Sequence, residues 1–193
     1  MRIFAAFAMI ILLSVPATAA RVHYYAGAAG GYSMLSWNEF ELESDSTVLL
    51  LDASNLPKRT NSYKLLVGVR FLDYGLEGFF KQTLPASNAD VKYETTSAGL
   101  DALVYLFRKS SFEIFAGLRA ALVFTDMSVV SVGDGGTENE WNLKSEGVGY
   151  GLGFGAMYNL GRTSVRLAVW SVATEGLQTP GEIESSASVL YWF

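Results

Sequence analysis

The chain has 193 residues, half of them hydrophobic and 17% charged, with a formal net charge of −5. This length holds one core and leaves no room for a second of any size, and the acidic balance argues against a nucleic-acid partner. With no cysteine there is no disulfide scaffold, thiolate metal site or lipoprotein anchor, and a single histidine, His23, leaves little for imidazole chemistry.

The N-terminus reads as an export signal. Arg2 supplies a positive n-region, Ile3 to Val15 is apolar apart from Ser14, and Pro16 closes the stretch before Ala17-Thr18-Ala19. That A-x-A pattern is a signal-peptidase site, so residues 1–20 are expected to be removed. The apolar stretch is shorter than the roughly 20 residues a spanning helix needs. The mature domain is then 21–193.

From there on the hydrophobic period is two, the strand period. Tyr24, Ala26, Ala28, Gly30 and Tyr32 share one face of the first segment. Tyr63, Leu65, Val67, Val69 and Phe71 do so in the second, and Phe112, Ile114, Ala116, Leu118, Ala120, Leu122 and Phe124 in a third. Further strands are predicted near 75–84, 93–107, 143–158, 163–172 and 183–193, which makes eight. Short turns fall at Asp73-Tyr74, Lys109-Ser110 and Leu160-Gly161, and long connections at 34–61, 85–92, 125–142 and 173–182. An even strand number with short turns at one end and long loops at the other is the plan of an outer-membrane barrel. The predicted fold is therefore all-β, an eight-stranded antiparallel up-and-down transmembrane barrel.

Two features favour a membrane barrel over a soluble sandwich. The apolar face of each strand is continuous, while the opposite face mixes glycine with isolated charges, which suits a narrow lumen better than a solvated surface. Tyr24 to Tyr32, Tyr63 to Phe71 and Tyr150 to Tyr158 each span eight residues on the apolar face. At ~3.3 Å per residue and a ~40° tilt, that is roughly the separation of two aromatic girdles.

Charge divides by region. The long loops hold twelve acidic residues against Lys58, Arg59 and Lys92, whereas the strands hold six acidic and six basic residues. A neutral wall is what a desolvated lumen requires, because an unpartnered buried charge costs several kcal/mol. Directly opposed residues share a face, so the turns at Asp73-Tyr74 and Leu160-Gly161 place Arg70 opposite Glu77, Arg166 opposite Gly155 and Trp170 opposite Gly151. At the turn between them the faces match only if paired numbers sum to an even value, and a sum of 220 puts Asp101 opposite Arg119. Lys64, Lys81 and Glu113 join the expected lumen ion pairs. The row Gly147, Gly149, Gly151, Gly153 and Gly155 makes space for bulky inward groups on the neighbouring strand. Eight strands enclose a space that side chains just fill, so the lumen is expected to be plugged.

Other chemistry is weakly signalled. The odd-numbered glycine row cannot hold G-x-G-x-x-G, and Asp134-Gly135-Gly136-Thr137-Glu138 lacks the alternating oxygen ligands of a calcium loop. Neither a cofactor nor a metal is expected. A lipid-modifying barrel would need a base at the outer rim. His23 lies at the opposite end, and Glu94, Glu146 and Glu184 are the carboxylates placed near that rim. In the first long loop, Thr47-Val48-Leu49-Leu50-Leu51 is an apolar patch between acidic 39–43 and Lys58-Arg59. It is either a binding surface or a self-packed cap.

The last residues, Ser188-Val189-Leu190-Tyr191-Trp192-Phe193, resemble the C-terminal strand of bacterial outer-membrane barrels. Tyr24-Tyr25-Ala26-Gly27-Ala28 through Gly31-Tyr32-Ser33 looks like the first strand of the outer membrane protein A-like family, and Gly68 to Gly78 is similar to its second hairpin. The resemblance implies a barrel-only member in the outer membrane of a Gram-negative bacterium; with no histidine at the outer rim, enzymatic activity is not expected. It implies Val189, Tyr191 and Phe193 as the signal read by the barrel assembly machinery. Outer-membrane lipids and lipopolysaccharide are the implied surroundings. An extracellular ligand is expected at loops 34–61 and 125–142, in an adhesin-like or structural role. The alternatives are a narrow porin-like channel for small solutes and a surface lipid-modifying enzyme.

Overall fold

The computed structural model describes residues 22–37, 40–44, 47–51, 56–88, 91–132, 138–175 and 180–193. The proposed signal segment 1–20 and the glycine-rich stretch 133–137 lie outside them. Eleven strands are present among these residues: β1 (Val22–Ser36), β2 (Phe40–Ser44), β3 (Thr47–Leu51), β4 (Arg59–Phe71), β5 (Tyr74–Thr83), β6 (Ala86–Asn88), β7 (Val91–Lys109), β8 (Phe112–Val132), β9 (Glu138–Leu160), β10 (Thr163–Glu175) and β11 (Gly181–Trp192).

Eight of them close a ring. β1 pairs with both β4 and β11, β5 pairs with β4 and β7, and β7 to β11 follow in order, every pairing antiparallel. Closure leaves no edge in the ring and so satisfies the backbone from within. The two-residue alternation read from sequence becomes an inside and an outside. Tyr24, Tyr32, Leu65, Val67, Leu118, Leu152, Phe154 and Leu167 stand exposed on the outer wall, while Tyr25, Leu66, Phe115, Met157, Trp170 and Leu190 are buried inside it.

The three tight turns sit one residue away from their predicted places. Phe71 pairs with Tyr74, Lys109 with Phe112, and Leu160 with Thr163. The loop residues are therefore Leu72-Asp73, Ser110-Ser111 and Gly161-Arg162. The first residue of each has positive φ: 51° at Leu72, 55° at Ser110 and 69° at Gly161. Only Gly161 meets that conformation without a side-chain penalty, and Leu72 and Ser110 carry no compositional sign of it. Between β7 and β8 the register shifts at Leu106, so that Asp101 lies opposite Arg119. The bulge restores the inward face that the turn alone would have reversed.

Two long connections contain further strand pairing. Pairing of β8 with β9 continues to Val132 opposite Glu138, so most of 125–142 is a hairpin rising beyond β10, whose pairing with β9 ends at Glu175 opposite Val148. Within the first loop, β2 and β3 form their own two-stranded sheet rather than prolonging β1 and β4. At Leu84-Pro85 β5 stops, and β6 resumes the pairing with β7, as proline requires where a ladder donor is missing.

Candidate functional site

The lumen holds the densest chemistry among the described residues. At the short-turn end, Arg166 (β10) reaches across to Glu77 (β5) through two bonds of 2.8 and 2.9 Å, and its Nε donates to Ser188 Oγ at 3.2 Å. Arg70 (β4) binds Glu113 (β8) in the same forked manner, at 2.6 and 3.2 Å, while its Nε donates to the Leu72 carbonyl oxygen at 3.0 Å. Planar guanidinium matches carboxylate in this geometry, and a charge-assisted fork is among the stronger hydrogen-bond arrangements. Arg108, half exposed at the rim, also donates to Glu113 at 2.9 Å and to Asp73 at 3.4 Å.

Toward the long-loop end lies a second cluster. Arg119 (β8) grips Asp101 (β7) with two bonds of 2.8 Å, and its Nη1 donates to Glu184 Oε2 (β11) at 3.0 Å. Lys81 donates to the same carboxylate at 3.1 Å and also binds Glu182, and Lys64 binds the other oxygen of Glu184. Glu184 is 0% exposed. One carboxylate thus contacts three cations from β4, β5 and β8, with Asp101 and Glu182 supplying the other two negative charges. Rings complete the packing: Arg119 lies between Phe79 and Trp170, 4.4 and 4.1 Å from their centroids, and Arg70 lies 3.7 Å over Tyr105. Desolvated cations gain from such faces.

These pairs correct the predicted register. Arg70 stands opposite Gly75 and Gly68 opposite Glu77, so Arg70 and Glu77 belong to different ion pairs. The cause is the turn at Leu72-Asp73, which moves every β4–β5 pairing by two residues. The same reasoning places Arg166 opposite Met157 and Trp170 opposite Gly153, rather than Gly155 and Gly151. Asp101 and Arg119 come together, and Lys64, Lys81, Glu113 and Arg166 all point inward and are buried.

The balance of charge is also reached by other residues than the sequence suggested. Of the strand acids, Glu94 and Glu146 lie on the outward side, as does Lys144, which pairs with Asp126 at 3.3 Å on the surface. In the long-loop cluster Asp101 is joined by Glu182, which the sequence places in a loop, and by Glu184, which it places near the rim. The even numbering of Glu182 and Glu184 matches buried Ser188 and Leu190 on the same strand, a parity signal present in the sequence. Glu184 is consequently no free rim base, and His23 is exposed at the short-turn end, opposite Arg70 in the backbone pairing. Among the described residues no group of histidine, cysteine and carboxylate side chains is placed to hold a metal.

The glycine row does make room. A Cβ built on Gly153 would lie 2.4 Å from the Trp170 ring, and one on Gly155 2.5 Å from the Phe115 ring. Gly153→Ala is expected to lower stability by about 1–3 kcal/mol through overpacking. A urea midpoint in lipid vesicles equal to that of the parent would contradict it.

Above the charged layers the mouth is apolar. Leu56, 0% exposed, packs with Val91, Met127 and Val129, and with Trp37, Trp141 and Leu143 around them. Trp37 Nε1 donates to the Pro57 carbonyl oxygen at 2.6 Å, and its ring meets Tyr93 edge-on at 4.9 Å. The returning end of the first long loop is thereby seated on the barrel. At the other end of the molecule Val189, Tyr191 and Phe193 are exposed on the outer wall, and Tyr191 and Phe193 make an edge contact at 5.4 Å.

The sequence matches no family model and no curated protein. Solved structures do match in shape. Neisserial surface protein A aligns with a TM-score of 0.60 at 17% identity, over 88% of this chain and 97% of that one. Ail, the attachment invasion locus protein of Yersinia pestis, aligns with a TM-score of 0.51 at 14% identity, over 90% of this chain and 99% of that one. At these identities the likeness concerns the fold, and the chain has the closed eight-stranded antiparallel barrel architecture of these two proteins.

Proposed function

We propose that the chain is exported by its N-terminal segment and resides in the outer membrane of a Gram-negative bacterium. There it acts as a plugged barrel that displays its long loops as a structural or ligand-binding surface. The observation that carries this reading is the mutual commitment of the buried charges inside an apolar outer wall. Lys64, Arg70, Lys81, Arg119 and Arg166 are spanned by Glu77, Asp101, Glu113, Glu182 and Glu184, and no buried cation among them stands apart. A bilayer is the solvent that suits exposed Leu, Val and Phe between rows of tyrosine, and outer-membrane lipids and lipopolysaccharide are the corresponding partners. Val189, Tyr191 and Phe193 are assigned as the strand recognised by the barrel assembly machinery.

The bridged interior supports a non-conducting, non-enzymatic role, with any ligand met by residues 34–61 and the 125–142 hairpin. Reconstituted in planar bilayers, the protein is expected to show no stable conductance step. A reproducible open state would replace the plugged barrel by the narrow-channel reading. Deleting 40–51 leaves Leu56 and Trp37 in place, so it tests the loop without unseating the mouth. Retained folding with lost cell-surface binding would put the function in that loop, and unchanged binding would return the protein to a structural role.

A further inference from the structure

The outer wall carries a long apolar groove of about 970 Å³ running across β8 to β11 and β1 to the start of β4. Its floor is made where the side chains are smallest: Gly30 lies directly opposite Ala187, with Ser185 beside them. Its flanks are Leu167 and Phe154 on one side and Tyr32 on the other. A Cβ built on Gly30 meets nothing within 4 Å, so the backbone there borders open space rather than packed neighbours. The volume is at the upper end of the ~300–1,000 Å³ typical of sites for small molecules.

The groove's upper end runs toward positive charge. Asn61 lines it, and Arg59 stands on the same outward face two residues further along β4, roughly 7 Å beyond, with Lys58 next to it. Both cations are exposed, and among the described residues neither takes part in an ion pair. They are two of only three basic residues in long connections that are otherwise acidic. Their place is held by the backbone, since the Leu35 amide donates to the Lys58 carbonyl oxygen at 2.9 Å. An apolar trough leading to two exposed cations at the long-loop end has the polarity of an amphiphile with acyl chains and an anionic head.

We infer that this groove is a binding site for a phosphorylated glycolipid of the outer leaflet, one acyl chain lying over Gly30 and Ala187 and a phosphate meeting Arg59 and Lys58. The inference rests on the membrane placement and orientation proposed above. A hydrocarbon chain fills a trough that flat wall residues cannot, and gains dispersion contacts along its length. The phosphate gains charge-assisted hydrogen bonds at a boundary where solvent screening is weaker than in bulk water.

The test uses the folded full-length mature protein in detergent, read by native mass spectrometry. The added probes are bisphosphorylated lipid A, dephosphorylated lipid A and phosphatidylglycerol. The parent is expected to retain one bisphosphorylated lipid A at least tenfold more readily than either of the others. Gly30→Phe, whose Cβ meets nothing within 4 Å, fills the trough and is expected to abolish that retention, while the paired substitution Lys58→Gln with Arg59→Gln is expected to erase the preference for phosphate. Each variant is first checked for the heat-dependent gel shift of a folded barrel. If Gly30→Phe does not fold, Ala187→Phe from the opposite strand fills the same space. Lipid A retained by the filled variant, equal retention of phosphatidylglycerol, or an unchanged preference without the two cations would each overturn the site. A barrel that inserts into vesicles and stays silent but binds no lipid A would refute only this inference. One that does not insert would refute the proposed function together with it.

Discussion

Glu184→Ala is expected to destabilise the barrel by about 3–5 kcal/mol, the cost of breaking a buried ion pair by removing one partner. The wall makes this carboxylate unusually exposed to loss. Lys64 and Lys81 are directly opposed neighbours on β4 and β5, a like-charge pair that costs energy unless an anion lies between them. Glu184 supplies that anion from β11, and Arg119 shares it. Without it Lys81 retains Glu182, Arg119 retains Asp101, and Lys64 is left buried with no carboxylate among its ion pairs. Glu184→Gln keeps the shape and part of the hydrogen bonding but not the charge, and is expected to recover only a fraction. Urea titration of folding into lipid vesicles reads both variants; an alanine midpoint within error of the parent would refute the hub.

The second large effect is expected at Glu77. Glu77→Ala or Arg166→Ala alone should cost about 3–5 kcal/mol, and the double replacement clearly less than the sum, because the pair is buried and forked. The same cycle made with Arg70 in place of Arg166 is expected to be much closer to additive, since Arg70 is bound to Glu113. Strong coupling of Arg70 with Glu77 and weak coupling with Glu113 would restore the register expected from the turn at Asp73-Tyr74 and refute the one observed. Glu77 has its own like-charged neighbour, Asp101, directly opposite on β7. Acid faces acid here as base faces base at Lys64 and Lys81, and in both cases neutrality arrives from across the lumen.

That arrangement separates what alternation along a strand dictates from what the ring decides. Strand number, the inward and outward faces, and the inward aim of Lys64, Arg70, Glu77, Lys81, Asp101, Glu113, Arg119 and Arg166 follow from a period of two. Period is a local property, because successive side chains alternate whatever the strand pairs with. Asp101 and Arg119 were placed together because the faces matched only for one parity of register, and the bulge at Leu106 supplies that parity. Arg70 was misassigned because its partner depended on locating a two-residue turn to within one position, and Leu72 gives no compositional sign of its positive φ.

Glu184 shows the remaining gap most plainly. Its parity pointed inward, yet its distance along the chain from Lys64, Lys81 and Arg119 gave no hint that it would meet all three. The groove over Gly30 is of the same kind, since its floor and flanks come from strands at opposite ends of the chain. Alternation and charge distribution were written in the linear order of residues, because each strand presents its two faces independently of its neighbours. Which carboxylate meets which cation, and where the outer wall is hollow, depended on how turn, bulge and closure set the strands around the ring. A two-residue offset on one hairpin is therefore enough to part Arg70 from Glu77, whereas the Asp101–Arg119 pair, fixed by its own bulge, is untouched by it.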